Sequence, residues 1–225
     1  MKLQEIFDHL SYGEFSQLSI GGQPVGEVNE TNQNRIVSYV QLALTALYKR
    51  FNLKERRITF PISADSTTYA LNVTDLLKIE RVLTDDGYEL GLNNEADIYA
   101  VSTPTMYSVL VPQVVLDQGA DLPEELKTTE LTVVYRANHP KLLTKYGVLF
   151  PVADAKDIEL PESHLQALLY HVANRVQSPL GTQQEGAVSL QYMARYEQEC
   201  QQLETSGMQI NQGTQHYRAT RNGWA

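Results

Sequence analysis

Histidines and acids come first, because acid–base catalysis and metal binding both draw on them. The chain has five histidines, and His164 and His171 stand out: they lie seven residues apart in a stretch whose apolar spacing predicts a helix beginning at Pro161. Two helical turns put such rings on one face but about 10 Å apart along the axis, too far to hold one metal ion without further ligands. Ser163 beside His164 is a sequence neighbour; adjacent helical residues point about 100° apart, so a capping role is expected of it rather than a nucleophile–base pair. Asp85-Asp86-Gly87 opens like a calcium loop but lacks the alternating oxygen ligands and closing Glu, and reads as a hairpin turn. Gly21-Gly22-Gln23-Pro24-Val25-Gly26 lacks the Gly-Lys-Ser/Thr ending of a phosphate loop and reads as a connection. Cys200, the single cysteine, is expected to be a small packing residue. The expectation is no catalytic set, no metal and no cofactor.

One local charge feature remains. Lys49, Arg50, Lys54, Arg56 and Arg57 against Glu55 place +4 in nine residues of an acidic chain. Such a patch would meet an acidic neighbour, or is the solvated end of a helix with basic flanks.

The elements that would position these groups follow from periodicity. Leu3, Ile6, Phe7 and Leu10 predict a short amphipathic helix ending before Tyr12-Gly13. Asn29 and Thr31 are candidate N-caps for a second helix over about 31–51, with the stripe Ile36, Val40, Leu44, Leu47 and Phe51. From Arg57 the period changes to two: 57–62, 67–71, 78–83, 105–111, 113–117 and 131–136 are strand candidates, forming one mixed or antiparallel sheet of five or six strands. Pro161 then opens a helix with the stripe Leu165, Leu168, Leu169, Val172 and Val176, and a more polar helix over about 183–204 has the narrow seam Leu190, Met193, Cys200 and Leu203. So thin a seam suits an exposed or inter-subunit helix. The residues after Ser206-Gly207 carry no acid and no periodicity, yet hold Met208, Ile210, Tyr217, Arg218, Arg221 and Trp224, as in a tail that orders on a partner. The expected fold is α+β: a helical bundle from residues 1–56 and 158–206, a β-rich domain inserted at 57–157, and an extended tail at 207–225.

Composition limits the function classes. The chain has 225 residues, 42% hydrophobic and 20% charged, so a sizeable core is expected and bulk disorder is not. A net charge of −9 excludes gripping nucleic-acid phosphates by bulk charge. No stretch approaches the ~18 apolar residues of a membrane span, the N-terminus carries acids where a signal peptide is apolar, and one cysteine suits a reducing cytoplasm; no membrane association is expected.

Two stretches carry a resemblance to a known family. One runs from Tyr69-Ala70-Leu71 through Leu77-Lys78-Ile79-Glu80-Arg81-Val82 to Asp85-Asp86-Gly87-Tyr88-Glu89-Leu90. The other runs from Leu160-Pro161-Glu162-Ser163-His164 through Ala167-Leu168-Leu169-Tyr170-His171-Val172-Ala173-Asn174-Arg175 to Tyr196-Glu197. With the helix–sheet–helix layout and trailing tail, they resemble phage head-to-tail connectors, or adaptors, related to the tail tubular protein A of short-tailed phages. The resemblance implies a virion protein at the head–tail interface, made in the host cytoplasm. It implies a homo-oligomeric ring of about twelve copies, closed by symmetry, between the portal protein and the tail tube or nozzle, with DNA passing through the lumen without specific binding. The tail residues named above would meet the portal, and nothing would be catalysed. The alternatives are another tail completion or terminator protein, a bacterial scaffold module, or a small enzyme using His164 and His171 with Glu162 or Glu159.

Overall fold

The α-helical stripes and the two-residue alternation segregate in space. The computed structural model describes residues 1–16, 26, 28, 32–62, 66–85, 87–92, 99–102, 107–110, 130–142, 157–177 and 183–207. The chain divides into a helical unit, Met1–Leu53 with His139–Ala225, and a sheet unit, Lys54–Asn138. The fold class is α+β.

In the helical unit, α1 (Leu3–His9) buries Leu3, Ile6 and Phe7. It does not stop before Tyr12 as the sequence suggests: Leu10–Glu14 continue it as a π turn, because burial of Leu10 and Phe15 holds the segment in and the Phe15 N–H donates to the Leu10 carbonyl at 2.8 Å. The N-terminus is tied down by Met1 and Ile158, whose backbones exchange hydrogen bonds, and by Lys2 Nζ on Asp157 Oδ1 at 2.6 Å. That contact holds the Asp157 carboxyl below its usual range.

Helix α2 (Gln33–Arg50) starts after Asn32; the candidate caps Asn29 and Thr31 lie outside the described residues. Its expected stripe is wholly buried, at about 2 kcal/mol for each large aliphatic side chain. Pro161 precedes a 3₁₀ turn (Glu162–His164) rather than occupying the first α-helical position, and α3 proper is Leu165–Gln177. Of its expected stripe, Leu168, Leu169, Val172 and Val176 are buried and Leu165 is half-buried. Helix α4 (Gln183–Thr205) ends where Gly207 takes φ +73°, the left-handed conformation that glycine adopts without strain. Helix α3 packs against both α2 and α4.

The sheet unit departs from the single sheet expected. It holds two antiparallel sheets. In the first, with order β1-β7-β3-β4, β7 (Glu130–Ala137) is central, flanked by β1 (Glu55–Pro61) and β3 (Leu76–Thr84), with the short β4 (Glu89–Leu90) beyond β3. The register pairs Ile58 with Val133 and Val82 with Val133, while irregularities at 76–78 and 79–81 shift β3 against β7. The second sheet has β6 (Tyr107–Leu110) between β2 (Thr68–Leu71) and β5 (Tyr99–Ser102). One core serves both, joining Ile79, Val82, Leu131 and Val133 of the first to Leu71 and Val109 of the second. Phe60 stacks on Tyr69 at 5.0 Å across the two. The expected hairpin joins β3 to β4, with Gly87 at φ +81° and its N–H on the Thr84 carbonyl. The strand expected at 113–117 lies outside the described residues.

Candidate functional site

The two histidines of α3 and its preceding turn are packing groups. The His164 ring meets Phe51 edge-on, centroids 4.7 Å apart, and the His171 ring meets Tyr196 of α4 at 5.1 Å. They face different neighbours, and both are buried. Ser163 does meet His164, its Oγ lying 3.0 Å from Nδ1, against the expectation of a neighbour in sequence alone. His164 Nε2 and His171 Nδ1 are buried without a hydrogen-bond partner. Burial therefore favours the neutral rings: it lowers the pKa of His164, and with Arg175 nearby it brings His171 to about 4. Among the described residues no three His, Cys, Asp or Glu side chains form a group able to hold a metal ion.

A third buried histidine has no signature in the sequence pattern. His139 Nε2 accepts the Glu159 N–H at 3.1 Å, which leaves Nδ1 to donate to the Pro140 carbonyl at 2.7 Å. Its ring stands edge-on to Tyr48, whose hydroxyl donates to the Glu159 carbonyl and whose pKa burial and the Glu159 charge push up to about 12. The signal that could have found it is the β-to-helix return, where a polar ring must satisfy backbone groups.

The basic segment is distributed rather than massed. Arg50 bridges α2 to α4, Nε on Glu204 Oε1 and Nη1 on Glu197 Oε2, each at 2.6 Å. The bond to Glu204 is the main influence that raises the Arg50 pKa, and it lowers that of Glu204. Arg56 pairs with Asp75 at 2.8 Å and Arg57 reaches Glu55 at 4.0 Å. Lys49 and Arg50 belong to the helical unit, Lys54, Arg56 and Arg57 to the sheet unit. Cys200 lies fully buried between the two α4 carboxylates in sequence; burial raises its thiol pKa, against the influence of Tyr196 and Arg50. Arg50→Ala should cost about 1 kcal/mol, the range for a partly exposed, screened pair, and less in high salt. Urea unfolding of both chains at low and high salt checks this.

The seam of α4 is corrected by the structure. Cys200 and Leu203 are buried and Tyr196 joins them, but Leu190 is 72% and Met193 38% exposed. Polar contacts hold the first half of α4 to α3 instead: Ser189 Oγ donates to Asn174 Oδ1 at 2.7 Å. Elsewhere a groove of about 430 Å³ is lined by Gln4, Phe7, Asp8, Ser11, Tyr12, Ser16 and Val28, with Tyr12 85% exposed. The six tail residues Met208, Ile210, Tyr217, Arg218, Arg221 and Trp224 lie outside the described residues.

Among the described residues the exposed large hydrophobics are Tyr12, Leu42, Leu190 and Met193, and ion pairs occur in both units. The family model for the SU10 adaptor protein matches residues 15–222. The chain belongs to the SU10 adaptor protein family. No curated protein matches the adaptor. As a member of a phage adaptor family it is a structural component of the virion, a role that asks for no catalysis. No helix among the described residues is long and apolar enough to cross a membrane.

Proposed function

We propose that this adaptor joins the phage head to the tail as a ring of about twelve copies, closed by symmetry, seated beneath the portal and handing DNA to the tail tube or nozzle, as proteins similar to tail tubular protein A do. The family match across residues 15–222 carries this reading. Charge supports it: at −9 per copy, a ring presents a field that repels phosphate, so DNA slides through without being gripped. The tail supports it too. Met208, Ile210, Tyr217 and Trp224 supply apolar anchors and Arg218 and Arg221 supply charge, with no acid between them, a composition that orders on a partner such as the portal. Exposed cations of the basic segment, Lys49 and Arg57 among them, would add a weaker contact.

The experiment adds purified full-length chain to portal-bearing capsids that lack it, and counts bound copies by mass photometry or cryo-electron microscopy. A closed ring under the portal is the expected result; no binding at micromolar concentration refutes it. Removing residues 208–225 should leave the circular dichroism spectrum of the helices intact. It should weaken docking by roughly several hundredfold, since two apolar anchors at about 2 kcal/mol each amount to about 4 kcal/mol.

A further inference from the structure

The first sheet ends at β1, which pairs with β7 on one side and, among the described strands, with none on the other. The Ala137 N–H donates to the Lys54 carbonyl at 2.9 Å, and opposite residues of an antiparallel pair alternate between exchanging bonds and turning them away. The register therefore turns the backbone groups of Arg56, Ile58 and Phe60 toward β7 and leaves the N–H and C=O groups of Glu55, Arg57 and Thr59 on the open side. Pro61, which has no N–H to give, falls in the same open-side set, where β7 asks no bond of it. Among the described residues no hydrogen bond reaches these backbone groups, and all four residues are exposed.

Side chains alternate along a strand, so this edge has two unlike faces. On one, Ile58 and Phe60 pack on the shared core yet stay half-buried. On the other, the register lines up Glu55 with Arg136 and Lys78, Arg57 with Val134 and Arg81, and Thr59 with Thr132 and Leu83. Glu80 lies beside these rows, 2.7 Å from Arg136 and 3.1 Å from Lys78. Four cations thus meet two carboxylates, on a chain whose net charge is −9. Glu55 serves both Arg81, at 3.3 Å, and Arg57, at 4.0 Å. Arg57, its side chain 65% exposed, is the cation on the edge strand itself. The next acid on that face, Glu130 opposite Pro61, is four residues along the strand from Arg57, about 13 Å away.

We infer that the open edge of β1 takes an extended segment of a partner protein as a fifth strand of this sheet, a segment in which acidic and apolar residues alternate. Each observation fixes one part of that guest. The free groups of Glu55, Arg57 and Thr59 supply its main-chain bonds, the mode in which sheet edges bind peptides. Its acidic residues then lie on the Arg57 face, with Cβ atoms about 5 Å from those of β1. Its apolar residues lie beside Ile58 and Phe60 and complete their burial. A second β1 would bring the same surplus of cation, so charge selects an acidic segment over another copy of this edge. Pro61 limits the pairing at one end. The edge lies within the sheet unit, and the inference stands whether or not copies close into a ring.

The test titrates the full-length chain, at low salt, into fluorescent seven-residue peptides of alternating valine and glutamate or valine and lysine, and reads anisotropy. The glutamate peptide should bind at least about fivefold tighter than the lysine peptide, with the ratio falling as salt is added. Arg57→Glu should reverse that preference. In this pairing the N–H groups of the glutamates face β1, so N-methylating the glutamates should abolish binding and N-methylating the valines should leave it. Thr59→Pro removes an N–H from the open side alone, and should keep the native Tm while weakening binding at least about tenfold. If that variant does not fold, the methylated peptides on the native chain decide. No binding of the glutamate peptide at millimolar concentration, equal affinity for both peptides, or indifference to methylation of the glutamates overturns the inference. A duplex oligonucleotide that displaces the peptide gives the cations to phosphate, and a dimer of the native chain that Thr59→Pro abolishes gives the edge to a second copy; either result also overturns it.

Discussion

Acidification from pH 6.5 to pH 4 should cost the folded adaptor about 3 kcal/mol through His171 alone. An ordinary histidine in the unfolded chain has a pKa near 6.5, and burial against Tyr196, with Arg175 nearby, lowers that of His171 to about 4. A depressed folded-state pKa means the unfolded chain binds the proton first. The stabilisation is therefore fully present above pH 6.5 and is lost progressively as the pH falls to about 4, at about 1.4 kcal/mol per unit of pKa difference. His164 is shifted in the same direction. The carboxyls of Asp157 and Glu204, held below their usual range by Lys2 and Arg50, give up their contribution at lower pH still, so the acid effects add. For a chain of this size 3 kcal/mol is about 10 °C in Tm. Thermal unfolding followed across this range measures it, and hydrogen exchange should show protection falling first in α3 and α4. The control is His171→Phe, which keeps a ring for Tyr196 to meet but cannot titrate. Its stability at pH 7 should stay within about 1.5 kcal/mol of the native chain, and most of the slope between pH 6.5 and 4 should vanish. An unchanged slope would exclude His171 as the source.

The same residues show what a sequence makes legible. Helices α2 and α3 were readable because each has a continuous, buried aliphatic stripe at helical spacing, and β1 and the hairpin at Gly87 because alternation and turn chemistry are local signals. Strands β4 and β5 were missed. Two residues at 89–90 and four at 99–102 are too short to establish a period, and partners in β3 and β6 define them. The seam of α4 misled for a different reason. Hydropathy ranks Leu190 and Met193 above Tyr196, but α3 offers Asn174 to the half-buried Ser189 in the first half of α4 and His171 to the second, so the Tyr196 ring is buried while the leucine is left out. The partners of the basic segment were not legible because a local count cannot see Glu197, Glu204 or Asp75 folding back onto it. The thin seam of α4 suited an exposed or inter-subunit helix, but the exposure of Leu42 on α2 was invisible, because the outer side of a helix is recognised only once its buried side is known.

Phe51→Ala should be the costliest single truncation at the end of α2, losing about 3–5 kcal/mol. Phe51 is 1% exposed, and its N–H donates to the Leu47 carbonyl at 2.7 Å, closing the helix. Its ring stands at 86° to that of His164. Alanine keeps the backbone bond and removes the ring, so the loss comes from the vacated volume and the edge-to-face contact, the latter worth about 0.5–1.5 kcal/mol. The two parts separate experimentally. A double-mutant cycle of Phe51→Ala and His164→Ala in urea unfolding should return a coupling in that smaller range, with the remainder assigned to Phe51 alone. A second readout follows from His164 itself. With Phe51 gone, water reaches the ring, the penalty on its charged form falls, and the His164 pKa should move back up toward that of an ordinary histidine in an NMR titration of the folded variant. A pKa that stays put while stability falls would mean that the other walls of the site dehydrate His164, and would move the origin of its shift from the end of α2 to the interior of α3.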